Sequence, residues 1–441
     1  MTSIPAQPAP NAVPASADIV IVGAGIQGCA SAYYMARAGL KVVLIDKSRV
    51  AAQQSSRAWG FVRVQMRDPD EIPLMQACKE IWRGLEAELN TDLEWNPGGA
   101  LYVTNRPATM AYREKWFQDT RDMGLDSKLL SPAETANLLP GHSGPILGGL
   151  FTASDGHAEP RKVAPAFAQR ARDLGAVVLE GCGAVEIERA GGKVVGIVTE
   201  WGRIKTDKVM VSAGASSWRI LKGLGIFLPQ SHIRASVART NILPHLTDAA
   251  FVGDNVAFRK RKDGSFNIAS SLHGDVDLTL DHLRLTPWYW KPYLDSKKGI
   301  DLHIGAPMLR DFAQRMPWRD EAKFPAIHER EPQILPQQQR LKNAVSVLQR
   351  DFPGIGRVGI AEQWAGNIDS LPDGIPVLDA PSDHPGLLIA TGFCGHGFAL
   401  GPIVGRVMCD LATGKNSNLP LRAFRLSRYA EGDVKQPMSI W

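Results

Sequence analysis

Residues 18–46 carry the pattern of a strand, a glycine-rich turn, a helix and a second strand. The run DIVIV is short, apolar and β-branched, which is typical of a strand buried on both faces. Gly23, Gly25 and Gly28 follow at once and open a helical stretch, and the run KVVLID then ends on Asp46. This order predicts an α/β fold with a Rossmann-like parallel sheet.

The spacing of these glycines predicts a phosphate site at the start of the helix. Gly23 permits a tight turn, Gly25 lets the backbone approach a pyrophosphate, and Gly28 lets helix and strand pack closely. A helix N-terminus attracts phosphate, and a carboxylate at the position of Asp46 can accept hydrogen bonds from ribose hydroxyls. The pattern therefore favours a dinucleotide over the alternative, a glycine turn without a ligand.

A second glycine-rich turn lies near the C-terminus. The run LLIATG predicts a strand that leads into residues 392–397, and a helical stretch follows. A complete dinucleotide fingerprint occurs once in the chain, at the N-terminal turn. We therefore expect the two turns to contact one long cofactor.

The chain of 441 residues is long enough for about three domains. Its patterns alternate between the strand–helix type and mixed segments that look inserted. The predicted organisation is a flexible tail (1–17), a discontinuous cofactor-binding domain (18–67, 150–225 and 350–415), a substrate-binding domain (68–149 and 226–349) and a C-terminal tail (416–441). Residues 284–345 are rich in Trp, Tyr, Pro and Arg and have no regular period.

Charge and cysteine content exclude several classes of partner. Lys and Arg number 50 against 45 Asp and Glu, an evenly scattered excess of +5 that argues against nucleic acid. The five cysteines are widely spaced without a C-x-x-C pair, so neither a disulfide framework nor a metal site is expected, and a reducing cytoplasm fits. No apolar run is long enough to predict a membrane span.

Several motifs together resemble the D-amino acid oxidase and sarcosine oxidase family of FAD-dependent amine oxidoreductases. The fingerprint at residues 23–46 is similar to that of flavoproteins, and the segment SSRAWGFVR, residues 55–63, is similar to the family segment that passes the flavin ring. The C-terminal half adds W-x-G at Trp364, P-D-G-x-P at Pro372 and the glycine series at 392–398. This C-terminal set distinguishes the chain best from NAD-linked dehydrogenases.

The resemblance implies a glutathione-reductase-like FAD-binding domain interleaved with an α+β substrate domain built on an antiparallel sheet. FAD is expected to bind without a covalent link. The positions implied to hold it are Gly23, Ala24, Gly25, Ile26, Gln27, Gly28, Asp46, Lys47, Ser55, Ser56, Arg57, Val185, Ala213, Gly214, Gly366, Gly392, Gly395, Gly397 and Phe398.

Three residues are candidates for the substrate end of the site. A planar guanidinium can hold both oxygens of a carboxylate, and Arg63 is the first choice for this role. Arg259 is the second, with a solvated charge run as its alternative. His396, between two glycines, is expected to hydrogen-bond FAD or to tune the protonation of an amine, with packing at the helix start as the alternative.

Two positions, Ala399 and Asn267, depart from the sarcosine oxidase branch. Ala399 stands where that branch has a lysine that helps to hold the substrate carboxylate, so the substrate is expected to differ from sarcosine. Asn267 occupies the position of a lysine associated with oxygen activation, which puts oxygen in doubt as the acceptor. Cys394 is a nearby alternative tether for the flavin.

The implied activity is oxidation of an amino acid or secondary amine, such as a D-amino acid, an N-substituted amino acid or an opine-like compound, by hydride transfer to flavin. The alternative is a flavin subunit that passes electrons to a partner subunit or a quinone. A catalytically idle flavoprotein and an NAD-linked dehydrogenase are the other classes. The aromatic residues Trp288, Tyr289, Trp290, Tyr293 and Trp318 are expected to form either core or an interface or substrate lid.

Overall fold

The computed structural model describes residues 13–271, 274–296, 299–316, 327 and 330–437. Within them the strands are β1 (Ile19–Val22), β2 (Val42–Asp46), β3 (Phe61–Val62), β4 (Ala100–Thr104), β5 (Ser127–Leu130), β6 (Gly148–Thr152), β7 (Gly156–His157), β8 (Val177–Glu180), β9 (Ala184–Ala190), β10 (Lys193–Thr199), β11 (Gly202–Lys205), β12 (Val209–Val211), β13 (Ser231–Thr240), β14 (Ala250–Val252), β15 (Ala257–Lys260), β16 (Phe266–Ala269), β17 (Gly274–Asp277), β18 (Ile300–His303), β19 (Ile360–Ser370), β20 (Val377–Asp379) and β21 (Leu387–Thr391). The α-helices are α1 (Ile26–Arg37), α2 (Gln54–Arg57), α3 (Ile72–Leu89), α4 (Pro107–Thr120), α5 (Pro132–Asn137), α6 (Pro160–Asp173), α7 (Ser217–Gly223), α8 (Leu280–Ser296), α9 (Ala306–Gln314), α10 (Gln338–Asp351), α11 (Gly397–Ala412) and α12 (Arg428–Glu431).

The first sheet has the strand order β20-β21-β12-β1-β2-β8. The five strands from β21 to β8 run parallel, and β20 pairs antiparallel with β21 at the edge. This is the parallel α/β sheet that the N-terminal pattern predicts, and the prediction is confirmed.

Strand β1 is buried on both faces because each face meets a different layer. Side chains alternate along a strand. Ile19 and Ile21 pack in a core with α1, α6 and α11, whereas Val20 and Val22 pack against the small sheet β11-β10-β9. The uninterrupted β-branched run is therefore the consequence of a strand covered on two sides.

A second large sheet is mainly antiparallel and has the order β18-β17-β13-β16-β15-β14-β4-β6-β5, with β19 paired along β13. Helix α10 covers one face, where Leu341 and Leu348 pack with Phe258, Phe266 and Phe352. This agrees with the antiparallel sheet expected for the substrate domain.

Three elements differ from the predicted domain boundaries. Helix α3 falls in the predicted substrate domain, but its buried face shares a core with α1 and α11, and the indole of Trp82 donates to the carbonyl of Ala399 at 2.8 Å. Strand β19 falls in the predicted cofactor domain, but it pairs with β13 over its length. Strand β6 spans the predicted boundary at 149/150 and lies in the large sheet.

Residues 284–345 contain helices that the sequence pattern does not reveal. Helix α8 contains Pro287 and Pro292, which hide its period. Trp288 packs edge-on against Tyr429, with their ring centroids 5.8 Å apart, and the Tyr289 hydroxyl donates to the carbonyl of Pro229 at 2.9 Å. Tyr293 is partly buried, and Trp290 is 59% exposed. The aromatic set is thus divided between core and surface, and Trp318 lies outside the described residues.

Close backbone packing accounts for two glycines of the N-terminal turn. Gly23 has φ +108°, and a Cβ there would lie 2.4 Å from the carbonyl oxygen of Ser212. A Cβ on Gly28 would lie 1.9 Å from the carbonyl oxygen of Gly23. Both clashes are with backbone, so they cannot be relieved by rotating a side chain.

We expect Gly28→Ala to lower the free energy of unfolding by about 1–3 kcal/mol or more, because the added methyl overpacks the turn. Gly84→Ala is the matched control. Gly84 lies inside α3, and a Cβ added there would have no neighbouring atom within 4 Å, so alanine should stabilise the helix by about 0.5–1 kcal/mol. Urea unfolding measures both effects. Equal stability of the two variants would contradict this account of the turn.

Candidate active site

The two glycine-rich turns line one cavity of about 840 Å³. Gly23 and Gly25 line it at one end, and residues 395–398 line it where α11 begins. The two turns also touch directly, because the Gln27 side-chain amide donates to the carbonyl of Gly397 at 2.8 Å. The expectation that distant parts of the chain meet at one site agrees with this geometry.

At the N-terminal end, the first turn of α1 opens into the cavity without a side-chain cap from its N-cap residue, Gly25. The Ser55 hydroxyl accepts the Ile26 N–H at 2.8 Å. Asp46 accepts the N–H groups of Ala24 and Ser48, each at 2.7 Å, and it also lines the cavity. Burial raises the pKa of this carboxyl above its usual value.

The C-terminal turn has an unusual backbone. Gly392 has φ +74°, Cys394 φ +49° and Gly395 φ +83°. Left-handed conformations cost energy for a residue with a Cβ, so Cys394 must be held by its surroundings. Its thiol accepts the Leu371 N–H and donates to the carbonyl of Gly392, each at 3.2 Å.

Asp369, at the end of β19, is the residue that fastens this turn. One carboxylate oxygen accepts the N–H groups of Gly392 at 2.8 Å and Phe393 at 3.2 Å. The other accepts the side-chain amide of Gln54 at 3.0 Å, and Gln230 lies within 3.4 Å of the first. Four separate segments of the chain therefore meet at one buried carboxylate.

His396 forms a buried pair with Glu71. The distance from His396 Nδ1 to Glu71 Oε2 is 2.9 Å, and both side chains are buried. Burial raises the pKa of Glu71 to about 7. His396 lines the cavity, and its Nε2 has no hydrogen-bond partner within the described part of the chain.

Three arginines line the cavity beyond this pair. Arg63 and Arg113 both lie over the ring of Tyr102, with guanidinium carbons 5.7 and 5.5 Å from its centroid. Arg67 lies beside them and donates its Nε–H to the carbonyl of Arg63 at 3.1 Å. This end of the cavity is positively charged.

The structure brings most of the expected positions to the cavity wall. Arg63 and His396 line it. So do the positions Gly23, Gly25, Ile26, Gln27, Asp46, Lys47, Ser55, Arg57, Ala213, Gly214, Gly366, Gly395, Gly397 and Phe398.

Five expected cofactor positions are not part of the wall. Ala24, Gly28 and Gly392 support the two turns through the backbone contacts described above. The Ser56 hydroxyl donates to the carbonyl of Gln53 at 3.2 Å. Val185 is 36% exposed, and its neighbour Ala184 lines the cavity instead.

The position of Arg259 differs from both interpretations of it that the sequence offered. It is neither a cavity residue nor part of a solvated charge run. It is buried, its Nη2 lies 2.8 Å from Glu159 Oε2, and its Nε–H donates to the carbonyl of Trp59 at 2.6 Å. Its charge is therefore neutralised by a carboxylate of the protein, behind Gly60.

Sequence reasoning missed several residues of the site. Arg67 and Glu71 follow Arg63 at intervals of four just before α3, and this spacing of charges could have drawn attention to them. Asp369 lies three residues before Pro372, the first residue of the P-D-G motif. The sequence around Arg113 does not indicate a functional role, because this residue lies inside α4 among other polar residues.

The family model for FAD-dependent oxidoreductases of the D-amino acid oxidase (DAO) type matches residues 18–411. The chain therefore belongs to this family of FAD-dependent oxidoreductases. Sarcosine oxidase subunit beta of Rhizobium meliloti is 24% identical over 424 residues, which cover 94% of this chain and 89% of that protein. N-methyl-L-tryptophan oxidase of Salmonella arizonae is 26% identical over 419 residues, 94% of this chain and 99% of that protein.

Solved structures agree on the fold. L-amino acid deaminase from Proteus myxofaciens superposes with a TM-score of 0.90 at 24% identity and covers 97% of each chain. Glycine oxidase from Geobacillus kaustophilus superposes with a TM-score of 0.75 at 18% identity, and the match covers 94% of this chain and 99% of that one.

The residues present fit FAD. Gly25, the N-cap residue of α1, lines the cavity without a side chain, and the first turn of α1 offers N–H groups for a pyrophosphate. The Gln27 side-chain oxygen is buried without a hydrogen-bond partner in the described chain. Asp46, which would accept hydrogen bonds from ribose hydroxyls, lines the cavity, and so does the turn at 395–398.

We expect Asp369→Ala to lower the free energy of unfolding by about 2–4 kcal/mol, because two buried N–H groups lose their acceptor. Asp369→Asn keeps one acceptor oxygen and should lose less. Asp383→Ala is a control at an exposed carboxylate and should change little. Chemical denaturation measures all three, and a stable Asp369→Ala variant would show that the turn holds without this carboxylate.

Proposed function

We propose that the chain oxidises an amino acid or a secondary amine whose carboxylate is held by Arg63. The observation that carries this proposal is the combination, in one cavity, of a buried arginine and a histidine with an unpartnered Nε2 in the described chain. The names of the relatives support it, since sarcosine and N-methyl-L-tryptophan are both N-methyl amino acids.

Bound FAD supplies the redox chemistry by accepting a hydride equivalent from the carbon next to the amine. The substrate also loses a proton from nitrogen, and water hydrolyses the resulting imine to a carbonyl compound and an amine. The protein must therefore orient the carboxylate, keep the amine neutral and accept a proton.

Arg63 is the orienting group in this proposal. Its Nη1 donates to the carbonyl of Gln65, which fixes the guanidinium, and its side chain is 8% exposed. A charge-assisted, bidentate contact with a carboxylate is strong in such a dry setting. Uniting substrate and cofactor in a fixed geometry removes much of the entropic cost of reaction.

His396 is the proposed proton acceptor, and Glu71 is its positioning residue. When ionised, Glu71 accepts the Nδ1–H of His396, which leaves Nε2 as the basic nitrogen of a neutral imidazole. A proton taken from the substrate ammonium at Nε2 is then stabilised by the nearby carboxylate. Below its pKa of about 7, Glu71 is neutral and this stabilisation is lost.

Non-covalent binding of FAD is part of the proposal. Cys394 is the cysteine of the C-terminal turn, but burial raises the pKa of its thiol well above the usual value. A protonated thiol is a poor nucleophile, so Cys394 is unsuited to form a tether.

A second candidate is a flavin subunit that passes electrons to a partner subunit or a quinone. Helices α8 and α9 and the segment between them carry exposed apolar side chains, as interaction surfaces do, while the same two helices line the cavity. The exposed residues are Leu283, Trp290, Ile304, Leu309 and Phe312. Asn267 gives no support for or against oxygen, because it is buried against Arg261 and does not line the cavity.

The cellular location is proposed as cytoplasmic, on the ground that all five cysteines are free thiols. None of the helices in the described residues combines the length and the apolar character that crossing a bilayer requires. The described residues also contain no cluster of side chains suited to a metal ion.

We expect the rate of anaerobic flavin reduction to rise with pH through an ionisation near 7, the value to which burial raises the Glu71 pKa. The rate rises with pH because the ionised carboxylate of Glu71 is the active form. Glu71→Gln should abolish this inflection, whereas Glu80→Gln, at an exposed position of α3, should retain it. Stopped-flow reduction across pH measures the profile. An unchanged inflection in Glu71→Gln would refute the role of this pair.

The proposed function predicts that an amine substrate bleaches the flavin when oxygen is excluded. The panel of candidate substrates contains amino acids of both configurations, N-methyl amino acids and opines. Reoxidation of the reduced flavin is then followed with oxygen and with a dye as the electron acceptor. Rapid reoxidation by oxygen favours an oxidase. Reoxidation by the dye alone favours a flavin subunit that passes electrons to a partner subunit or a quinone. If no amine bleaches the flavin, the proposed function is wrong.

A further inference from the structure

The cavity contains more buried positive charge than one substrate carboxylate can balance. Arg63, Arg67 and Arg113 are 8%, 2% and 4% exposed, and all three line the cavity near Tyr102. They come from a loop that precedes α3 and from the middle of α4. Three arginines from two separate segments therefore converge on one volume.

The protein provides little negative charge for this cluster. Arg67 Nη1 lies 4.0 Å from Glu71 Oε1, the outer limit of an ion pair, and the other oxygen of Glu71 contacts His396. Asp155 is buried nearby, but it accepts the N–H groups of Val64 and Gln65.

Arg113 is the least compensated of the three. Among the described residues no carboxylate forms an ion pair with its guanidinium: the charge of Asp254 acts on it only from beyond ion-pair distance, and its close contact is with the face of Tyr102. Nη1 of Arg113 and Nη1 of Arg67 are buried donors without a hydrogen-bond partner among the described residues.

Burial of these cations is energetically unfavourable. Desolvation lowers the pKa of Arg67 and of Arg113 to about 10, so both remain charged at neutral pH. A buried charge without a partner is strongly unfavourable, and a bound anion that supplies the partner is held correspondingly tightly.

We propose that the substrate carries two carboxylates. Arg63 holds the one next to the reacting carbon, and Arg113 holds the second. Arg67 lies between these two arginines and Glu71. The chemical class is an amino acid with a second carboxylate, either on its side chain or on its N-substituent. This inference rests on the proposed function and names its substrate class. A monocarboxylate would leave Arg113 buried and unpaired.

Matched substrate pairs test the class on the flavin-loaded enzyme. Iminodiacetate is compared with N-methylglycine, and each enantiomer of glutamate with the same enantiomer of glutamine. We expect kcat/KM for one dicarboxylate to exceed that of its partner on the order of 100-fold, the size of a lost charge-assisted contact. The two pairs distinguish a carboxylate on the N-substituent from one on the side chain.

Arg113→Met then locates the second carboxylate. It should lower kcat/KM for the dicarboxylate on the order of 100-fold and change the monocarboxylate less than about 3-fold. Arg121→Met, at an exposed position just beyond α4, is the control and should change neither. Arg113→Lys keeps the charge and serves if Arg113→Met does not fold. It should give an intermediate loss for the dicarboxylate alone.

Calorimetric titration with glutarate and with butyrate gives a readout independent of turnover. We expect glutarate to bind the flavin-loaded enzyme more tightly than butyrate, and Arg113→Met or Arg113→Lys to reduce the difference. Equal affinities, or a loss that is the same for both substrate classes, would overturn the inference and leave amine oxidation standing. If no amine reduces the flavin, the proposed function fails, and the titration still decides whether the second carboxylate site exists.

Discussion

The buried carboxylate of Asp369 is the contact on which the geometry of the site depends. It joins the C-terminal glycine turn to the first residue of α2, Gln54, and to the segment that leads into β13. Because it accepts backbone N–H groups, it holds the turn in a conformation that Cys394 would not adopt alone. The Gln27 to Gly397 hydrogen bond then brings this turn against α1. The cavity follows from these few polar contacts between remote segments.

The electrostatics of the cavity divide along its length. At the dinucleotide end, a helix N-terminus faces the space, and each oxygen of Asp46 accepts one backbone N–H group. At the opposite end, buried arginines outnumber carboxylates, and the Glu71 to His396 pair lies at the boundary. This separation suits a site in which a cofactor is bound mainly by backbone and an anionic substrate is bound by side chains.

Sequence patterns predicted those features whose structure depends on neighbouring residues in the chain. The unit from β1 to β2 and the second glycine turn were predicted because their signals lie within a few consecutive residues, and Arg63, predicted in the same way, lines the cavity. Arg259 was misassigned because its partner Glu159 is remote in sequence. Helix α8 was hidden by its two prolines, and Asp369 by the distance to Gln54 and Gln230. Arg113 looks like any polar residue of α4 until the fold buries it against Tyr102.

The central claim is that both glycine turns hold a single FAD. The most direct measurement is calorimetric titration of the flavin-stripped protein with FAD and, separately, with NAD. We predict uptake of one FAD per chain and no measurable uptake of NAD. A folded protein that takes up no FAD, or that binds NAD in its place, would contradict the claim.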